Sequence, residues 1–265
     1  MTIVAPIRGT PSATRQSNPV SPDCGAGCER IVVLTNAERS NRRLATLLSD
    51  QRLAEIATRH SEDMVNRDYM AHESPDGRGP AQRVGMGHRT FFGTTRENVA
   101  LYDSSPLPSD QVAAQFVTMW MNSEGHRRNI LSDDSTHIGV GCFTATDRNT
   151  GLVKRKCTQL FANVFAFSET AIPEVLSAGE VLSVRLAPQS GYPAAFAIVQ
   201  TDRITGRVIS SPTSGQLIER HGVAEGRLEI KGPSGAYGLS IHIPDRSVPG
   251  RYFIVTGPYI QVKTR

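Results

Sequence analysis

Apolar residues recur at three- and four-residue steps through the first half of the chain and at alternate positions through the second. Ile31, Leu34 and Ala37 open a helical pattern that runs to Leu44 or Leu48. Asp50 is a good N-cap for a second helix, in which Leu53, Ile56, Ala57, His60, Met64 and Val65 form one apolar face. The stretch from His72 to Gly79, with Pro75 and Gly77, reads as a loop, and 81–86 adds a turn of helix. A third helix starts at Ser109 or Asp110, with Val112, Phe116, Met119 and Trp120 on its inner side. Gly125 ends that pattern, and 126–131 gives another short helical turn.

The period then drops to two. Ile138, Val140, Cys142 and Thr144 alternate, as do Cys157, Gln159, Phe161 and Asn163, so two strands follow the helices. Helices packed on a small antiparallel sheet make an α+β arrangement. From Ile172 onward helical signals vanish, and strand candidates lie at 181–186, 195–200, 206–209, 216–220, 227–230, 238–243, 252–256 and 259–263. Turn residues separate them every 8–12 residues or so, the spacing of a β-sandwich of Ig-like type. The chain divides into a flexible N-terminal segment (1–28), an α+β domain (29–168) and an all-β accessory domain (172–265).

Composition adds limits. A length of 265 residues suits one large domain or two ordinary ones, and 38% hydrophobic content with 20% charge is a globular balance. No run of about 18 apolar residues occurs, so no transmembrane segment is expected. The net charge is +4, carried mostly by 25 Arg against 4 Lys. These are scattered rather than gathered on one stripe, which argues against nucleic acid as a partner.

Four cysteines permit three full pairings. Cys142 and Cys157 flank Asp147-Arg148-Asn149-Thr150-Gly151, strong turn chemistry that folds a hairpin and sets the two thiols opposite each other. Cys24 and Cys28 then pair locally. Two disulfides point to an extracellular or periplasmic protein. The spacings do not make two Cys-x-x-Cys knuckles, which disfavours zinc held by thiolates. Residues 1–22 lack the roughly 7–15-residue apolar core of a signal peptide, so no leader is visible in this chain.

Six stretches resemble the CAP/SCP superfamily in its bacterial secreted form. They are Asn36-Ala-Glu-Arg39, Arg59-His60-Ser61-Glu62-Asp63-Met64, His72-Glu-Ser-Pro-Asp-Gly77, Glu97-Asn98-Val99-Ala100, Trp120-Met-Asn-Ser-Glu-Gly-His126-Arg-Arg-Asn-Ile-Leu131 and Ile138-Gly-Val-Gly141. Their order and spacing hold over about half the chain. The resemblance implies a three-layer α-β-α sandwich with a solvent-open cleft holding two His and two Glu. His72 matches the first His, Glu97 the first Glu and His126 the second His. Glu124 is the nearest candidate for the second Glu. Arg96 replaces the family's usual Gly before Glu97.

Two neutral imidazoles are good ligands for zinc or another divalent metal, with a carboxylate or water completing the shell. A metal-bound water could act as nucleophile, with Glu97 or Glu124 as general base, which would make a metal-dependent, peptidase-like hydrolase. Against this stands a non-catalytic cleft that takes a lipid, a cell-envelope glycan or a protein, with the β-domain as an adhesion or docking module. A third reading is structural, with Glu97 capping a turn and hydrogen-bonding His72 to hold the loops together. The binding reading is preferred, because hydrolysis is not a general property of the family. Among the other residues, His60 reads as a hydrogen-bonded core His, and His137 could edge the cleft. His88, His221 and His242 read as surface or packing residues. Trp120 reads as a core anchor. Ser123 lacks a nucleophile elbow and reads as a helix cap.

Overall fold

The computed structural model describes residues 25–104, 107–146, 151, 153–189, 191–202, 207–210 and 215–264. Five helices and eleven strands are present among them. Helix α1 spans Gly25–Ser40. It ends earlier than the apolar pattern suggests, because the chain turns after Ser40 through Arg43, which has φ 60°. Strand β1 is the short pair Leu48–Ser49. Helix α2, Gln51–Asn66, begins where Asp50 accepts a hydrogen bond from the Leu53 amide at 2.9 Å. Helix α3 spans Pro80–Gly87, with Pro at its first turn. Strand β2, Phe91–Ser104, is a long element that period reading did not reveal. Helices α4, Ser109–Asn122, and α5, Glu124–Ile130, follow, with Ser123 between them as the N-cap residue of α5. Ser123 makes no side-chain cap hydrogen bond.

Strands β3, His137–Thr146, and β4, Val153–Ser168, pair antiparallel with Cys142 opposite Cys157. The disulfide expected there joins those two residues. Cys24, the expected partner of Cys28, lies outside the described residues, as do Asp147 to Thr150 of the expected turn. Strand β4 pairs with β3 on one edge and β2 on the other, and β1 extends the sheet beyond β3.

Alternation along β3 and β4 builds three layers. Ile138, Val140, Cys157 and Phe161 pack with Ile31 of α1 and with Phe116 and Trp120 of α4. Leu160, Ala162 and Val164 face the other way, against Leu53, Ile56 and Ala57 of α2 and Val84 of α3. The two glycines of Ile138-Gly-Val-Gly141 occupy that second face. A Cβ on Gly139 would lie 2.3 Å from the Ala54 nitrogen, and one on Gly141 would lie 2.1 Å from the Thr58 nitrogen. Helix α2 therefore rests on bare β3 backbone. Trp120 is fully buried and stacks on Phe116 at 5.7 Å, the core anchor expected of it.

The Asn36-Ala-Glu-Arg39 stretch does structural work. Asn36 exchanges hydrogen bonds with the Leu47 backbone at 2.8 and 3.1 Å. Buried Arg39 donates to the carbonyls of Ala45, Ile130 and Ser132 at 2.7–2.8 Å. Those last two acceptors finish α5, so α1 fixes the helix that carries His126.

The C-terminal region is all β. Strands β5 (Val175–Ser177), β6 (Val181–Pro188), β7 (Ala197–Asp202), β8 (Leu217–Arg220), β9 (Val223–Glu229), β10 (Gly235–Pro244) and β11 (Tyr252–Lys263) form two facing layers. One is a four-stranded sheet in the order β5-β11-β10-β7. The other, β6-β9-β8, continues the first sheet, because Ala166, Phe167 and Ser168 of β4 pair with β6. Phe92 and Ala166 sit in the core of this second region with Leu182, Leu228, Ile241 and Val255. Arg89 donates to the carbonyls of Gly85, Ile172, Pro173 and Tyr259 at 2.6–3.1 Å. Hydrogen bonding and packing thus run across the chain division near residue 170. Among the described residues, no helix is long and apolar enough to cross a membrane.

Candidate functional site

Register places the centre of the site. Glu97 of β2 lies opposite Leu160 of β4, on the face that α2 covers, while Asn98 lies opposite Gln159 on the α4–α5 face. Among the described residues strand β2 pairs only with β4 in the sheet, so side chains from the two helical layers can meet at its other edge. His72 comes from the loop after α2, on the Glu97 side. His126 comes from α5, whose peptide is held on the opposite side by Asn98, the amide donating to the His126 carbonyl at 3.1 Å. Asn129 donates to the Glu97 carbonyl at 3.1 Å and to Asn98 Oδ1 at 2.9 Å, which ties α5 to the strand. Asn98 also donates to Gln159 at 3.0 Å, and Gln159 donates to Thr35 at 2.8 Å.

The Glu97 carboxylate is 1% exposed and both of its oxygens are engaged. His72 Nδ1 donates to Oε1 at 2.9 Å, and Arg83 donates to Oε2 at 2.6 Å. His60 Nε2 stands 3.9 Å from Oε1 and donates to the Ala71 carbonyl at 3.0 Å. Arg83, only 10% exposed, also reaches the carbonyls of His72 and Arg78 at 2.8 Å each and Ser74 Oγ at 3.3 Å. One guanidinium therefore binds β2 to the whole 72–79 loop. The fixed fork of Arg suits this, since it serves several acceptors at once.

Charge follows geometry. The hydrogen bond to Glu97 lifts His72 above the usual imidazole value, against partial burial and the nearby Arg83. His126 falls below it through burial and repulsion from His72. His60 also falls, because burial outweighs the attraction of Glu97. His72 thus holds its proton more firmly than a free imidazole, and the other two hold theirs less firmly. With Nδ1 tied to Glu97, His72 turns its Nε2 edge outward, and its side chain is 53% exposed.

The expected residues separate into two groups. His72 and Glu97 are bonded, and His126 lies within electrostatic range of His72. Glu124 is 79% exposed and pairs with Arg128 at 2.8 Å on the outer face of α5. Arg96 pairs with Asp134 at 2.8 Å. His137 does not edge the cleft. As the first residue of β3 it packs against Phe167 and faces the Asp50–His88 pair, itself 3.0 Å across. His60 is buried as expected, and it adjoins Glu97. Arg83 was not anticipated at all.

Zinc takes about four ligands, three of them from protein even at open sites. Here two imidazoles offer themselves and the carboxylate is committed elsewhere. Among the described residues, no group of three or more His, Cys, Asp or Glu is arranged to hold an ion.

The same region of the chain is similar to known proteins. Residues 32–161 match the sequence profile of the cysteine-rich secretory protein family, CAP. The chain is 36% identical over 137 residues to YkwD of Bacillus subtilis, covering 52% of this chain and 49% of that one. It is 40% identical over 114 residues to the Bacillus subtilis membrane protein YlbC, covering 43% and 30%. The chain therefore spans about half or less of the length of these curated relatives. Among solved structures, an extracellular SCP-domain protein from Bacillus anthracis is 34% identical, with 56% and 45% coverage and a TM-score of 0.43.

Proposed function

The chain belongs to the CAP superfamily through residues 32–161, and from that premise we propose that its cleft binds a polar ligand without turning it over. The observation that carries this reading is the state of Glu97. A general base needs a lone pair that faces the reacting proton. Each Glu97 oxygen already accepts a bond, one from His72 and one from Arg83, and the side chain is closed to solvent, so its remaining lone pairs do not face the cleft mouth. What remains open is the outward edge of His72. Protonated, it presents an Nε2–H donor, which suits a ligand rich in oxygen acceptors, such as a cell-envelope glycan or a peptide carbonyl, better than a lipid chain. A divalent cation at the His72–His126 pair would be weakly held and would have to displace the His72 proton.

The protein is proposed to work outside the cytoplasm, a setting that the Cys142–Cys157 disulfide favours. The C-terminal all-β region would then serve as a docking module, rigidly set because β4 and Arg89 join it to the CAP domain.

The test is an NMR titration of the intact chain, following the ring resonances of His72 and His126. A soluble N-acetylglucosamine oligomer serves as glycan probe and Zn²⁺ as metal probe. Saturable glycan shifts that vanish in His72→Ala support the reading. Stoichiometric, tight zinc uptake, or cleavage of the oligomer that depends on Glu97, would overturn it.

A further inference from the structure

Glu97 and Asn98 are neighbours on β2, and their side chains leave the strand on opposite faces. The first meets the His72 loop and the second meets α5, which carries His126. The two imidazoles are held in different ways. His72 is tied by its own ring, through Nδ1, to Glu97. The His126 ring makes no hydrogen bond among the described residues. Its place therefore depends on where its peptide lies.

That peptide belongs to a seven-residue helix, too short to hold its shape alone. Fully buried Asn98 fixes it. The Asn98 amide donates to the His126 carbonyl at 3.1 Å and to Gln159 Oε1 at 3.0 Å, and Asn98 Oδ1 accepts from Asn129 at 2.9 Å. One carboxamide thus donates to one turn of α5 and accepts from the next. A carboxylate of the same shape only accepts, and an aliphatic chain does neither. Asn129 adds a bond to the Glu97 carbonyl at 3.1 Å. Behind Asn98, buried Gln159 is anchored to buried Thr35 of α1 at 2.8 Å. A network closed in this way keeps one arrangement, because rotating any member strands a buried polar group.

We propose that Asn98 is a positioning residue of the cleft: with Asn129 it holds the His126 ring at a fixed spacing from His72, so that a ligand meets both imidazoles already in place. Consecutive residues of β2 thereby set one imidazole each. This deepens the binding reading given above and rests on it. A site fixed before the ligand arrives loses less freedom on binding.

NMR of the intact chain tests it, with Asn98→Ala and Asn129→Ala each compared with wild type. Burial and the charge of His72 hold the His126 pKa below its usual value, so His72→Ala should raise it. In each Asn variant that rise should shrink by about half or more, since charge interaction falls with distance. His72 should keep the raised value that Glu97 gives it. The N-acetylglucosamine oligomer should bind each Asn variant at least about fivefold more weakly, the worth of one hydrogen bond. A rise undiminished in both variants, no rise in the wild-type background, or a His72 that falls together with this coupling would overturn the proposal. If Asn98→Ala does not fold, Asn129→Ala decides, being at a half-buried position and leaving the Asn98 bond to His126 in place. If the oligomer does not bind wild type, the binding reading fails, while the coupling of His126 to His72 still decides the positioning.

Discussion

Replacing Glu97 by Gln tests the central physical feature of the CAP domain, a buried carboxylate shared by Arg83 and His72. The change preserves side-chain volume and leaves one acceptor oxygen, so no cavity opens. It removes the charge from a side chain that is 1% exposed and strands an Arg83 that is 10% exposed. Breaking one side of a buried ion pair costs about 3–5 kcal/mol. Two carbonyls, from His72 and Arg78, still accept from Arg83 and partly solvate it. His72 is half exposed, so its own share is below about 1 kcal/mol after screening. The expected loss is therefore about 2–4 kcal/mol near neutral pH, read from urea denaturation.

The pH dependence has a definite sign. The folded His72 pKa lies above its ordinary 6.5, chiefly through the hydrogen bond to Glu97. Its stabilising contribution is fully present below about 6.5 and fades as pH rises through the raised value. The gap between wild type and Glu97→Gln should narrow across that window, and the remaining gap belongs to Arg83. In NMR titrations the variant's His72 should fall toward or below 6.5. Pairing Glu97→Gln with Arg83→Met should cost less than the two single changes summed, since the stranded cation is gone. A loss under about 0.5 kcal/mol, the size of an ordinary surface change, together with an unmoved His72 titration would refute the reasoning.

Three further outcomes follow from the packing. Reducing the Cys142–Cys157 bond, which spans a sequence separation of 15, should lower stability by about 3 kcal/mol, checked by melting curves with and without reductant. Arg89→Leu removes four hydrogen bonds to carbonyls of Gly85, Ile172, Pro173 and Tyr259. Wild type should unfold in one calorimetric transition, and the variant should be weaker by about 3 kcal/mol or more with a broadened or split transition. Gly141→Ala puts a methyl 2.1 Å from the Thr58 backbone nitrogen, so α2 must lift from β3. The expected cost is about 3 kcal/mol or more, measured by denaturant midpoint, and a neutral result would mean that the contact is not tight.

Helices were the most legible part of the chain, because α2 and α4 each bury one face at helical spacing and α2 carries a side-chain cap. Strand β2 was the least. Its residues do not alternate apolar with polar: Glu97 and Asn98 are both buried, on opposite faces, Glu97 bonded by Arg83 of α3 and Asn98 by Asn129 of α5. A strand that buries polar groups on both faces has no period-two signature, although it carries the site. The sandwich strands were recognisable from turn spacing, but the sharing of β4 between the two regions was not. Pairing of Ala166 to Ser168 with β6 is a tertiary choice made at the end of a sixteen-residue strand, and nothing local marks it.

The site residues divide along the same line. His72, Glu97 and His126 were legible through motif resemblance, while Arg83 was invisible, being 14 residues from Glu97 and placed in a short helix with no chemical pattern. Yet a physical constraint was available. A carboxylate in the middle of a buried strand needs a cation or several donors. His72 alone, on a solvent-facing loop and able to lose its proton as pH rises, cannot keep that charge balanced at every pH. A permanently charged partner had to exist on the α2 face, and an arginine in the segment between the His72 loop and β2 is the nearest group able to reach it. Glu124 fails the same requirement in reverse. On the outer face of a seven-residue helix it finds Arg128 one turn away and has no need of the cleft. Demanding a counter-ion for each buried charge thus separates the carboxylate that organises the site from the one that merely lies near it in sequence.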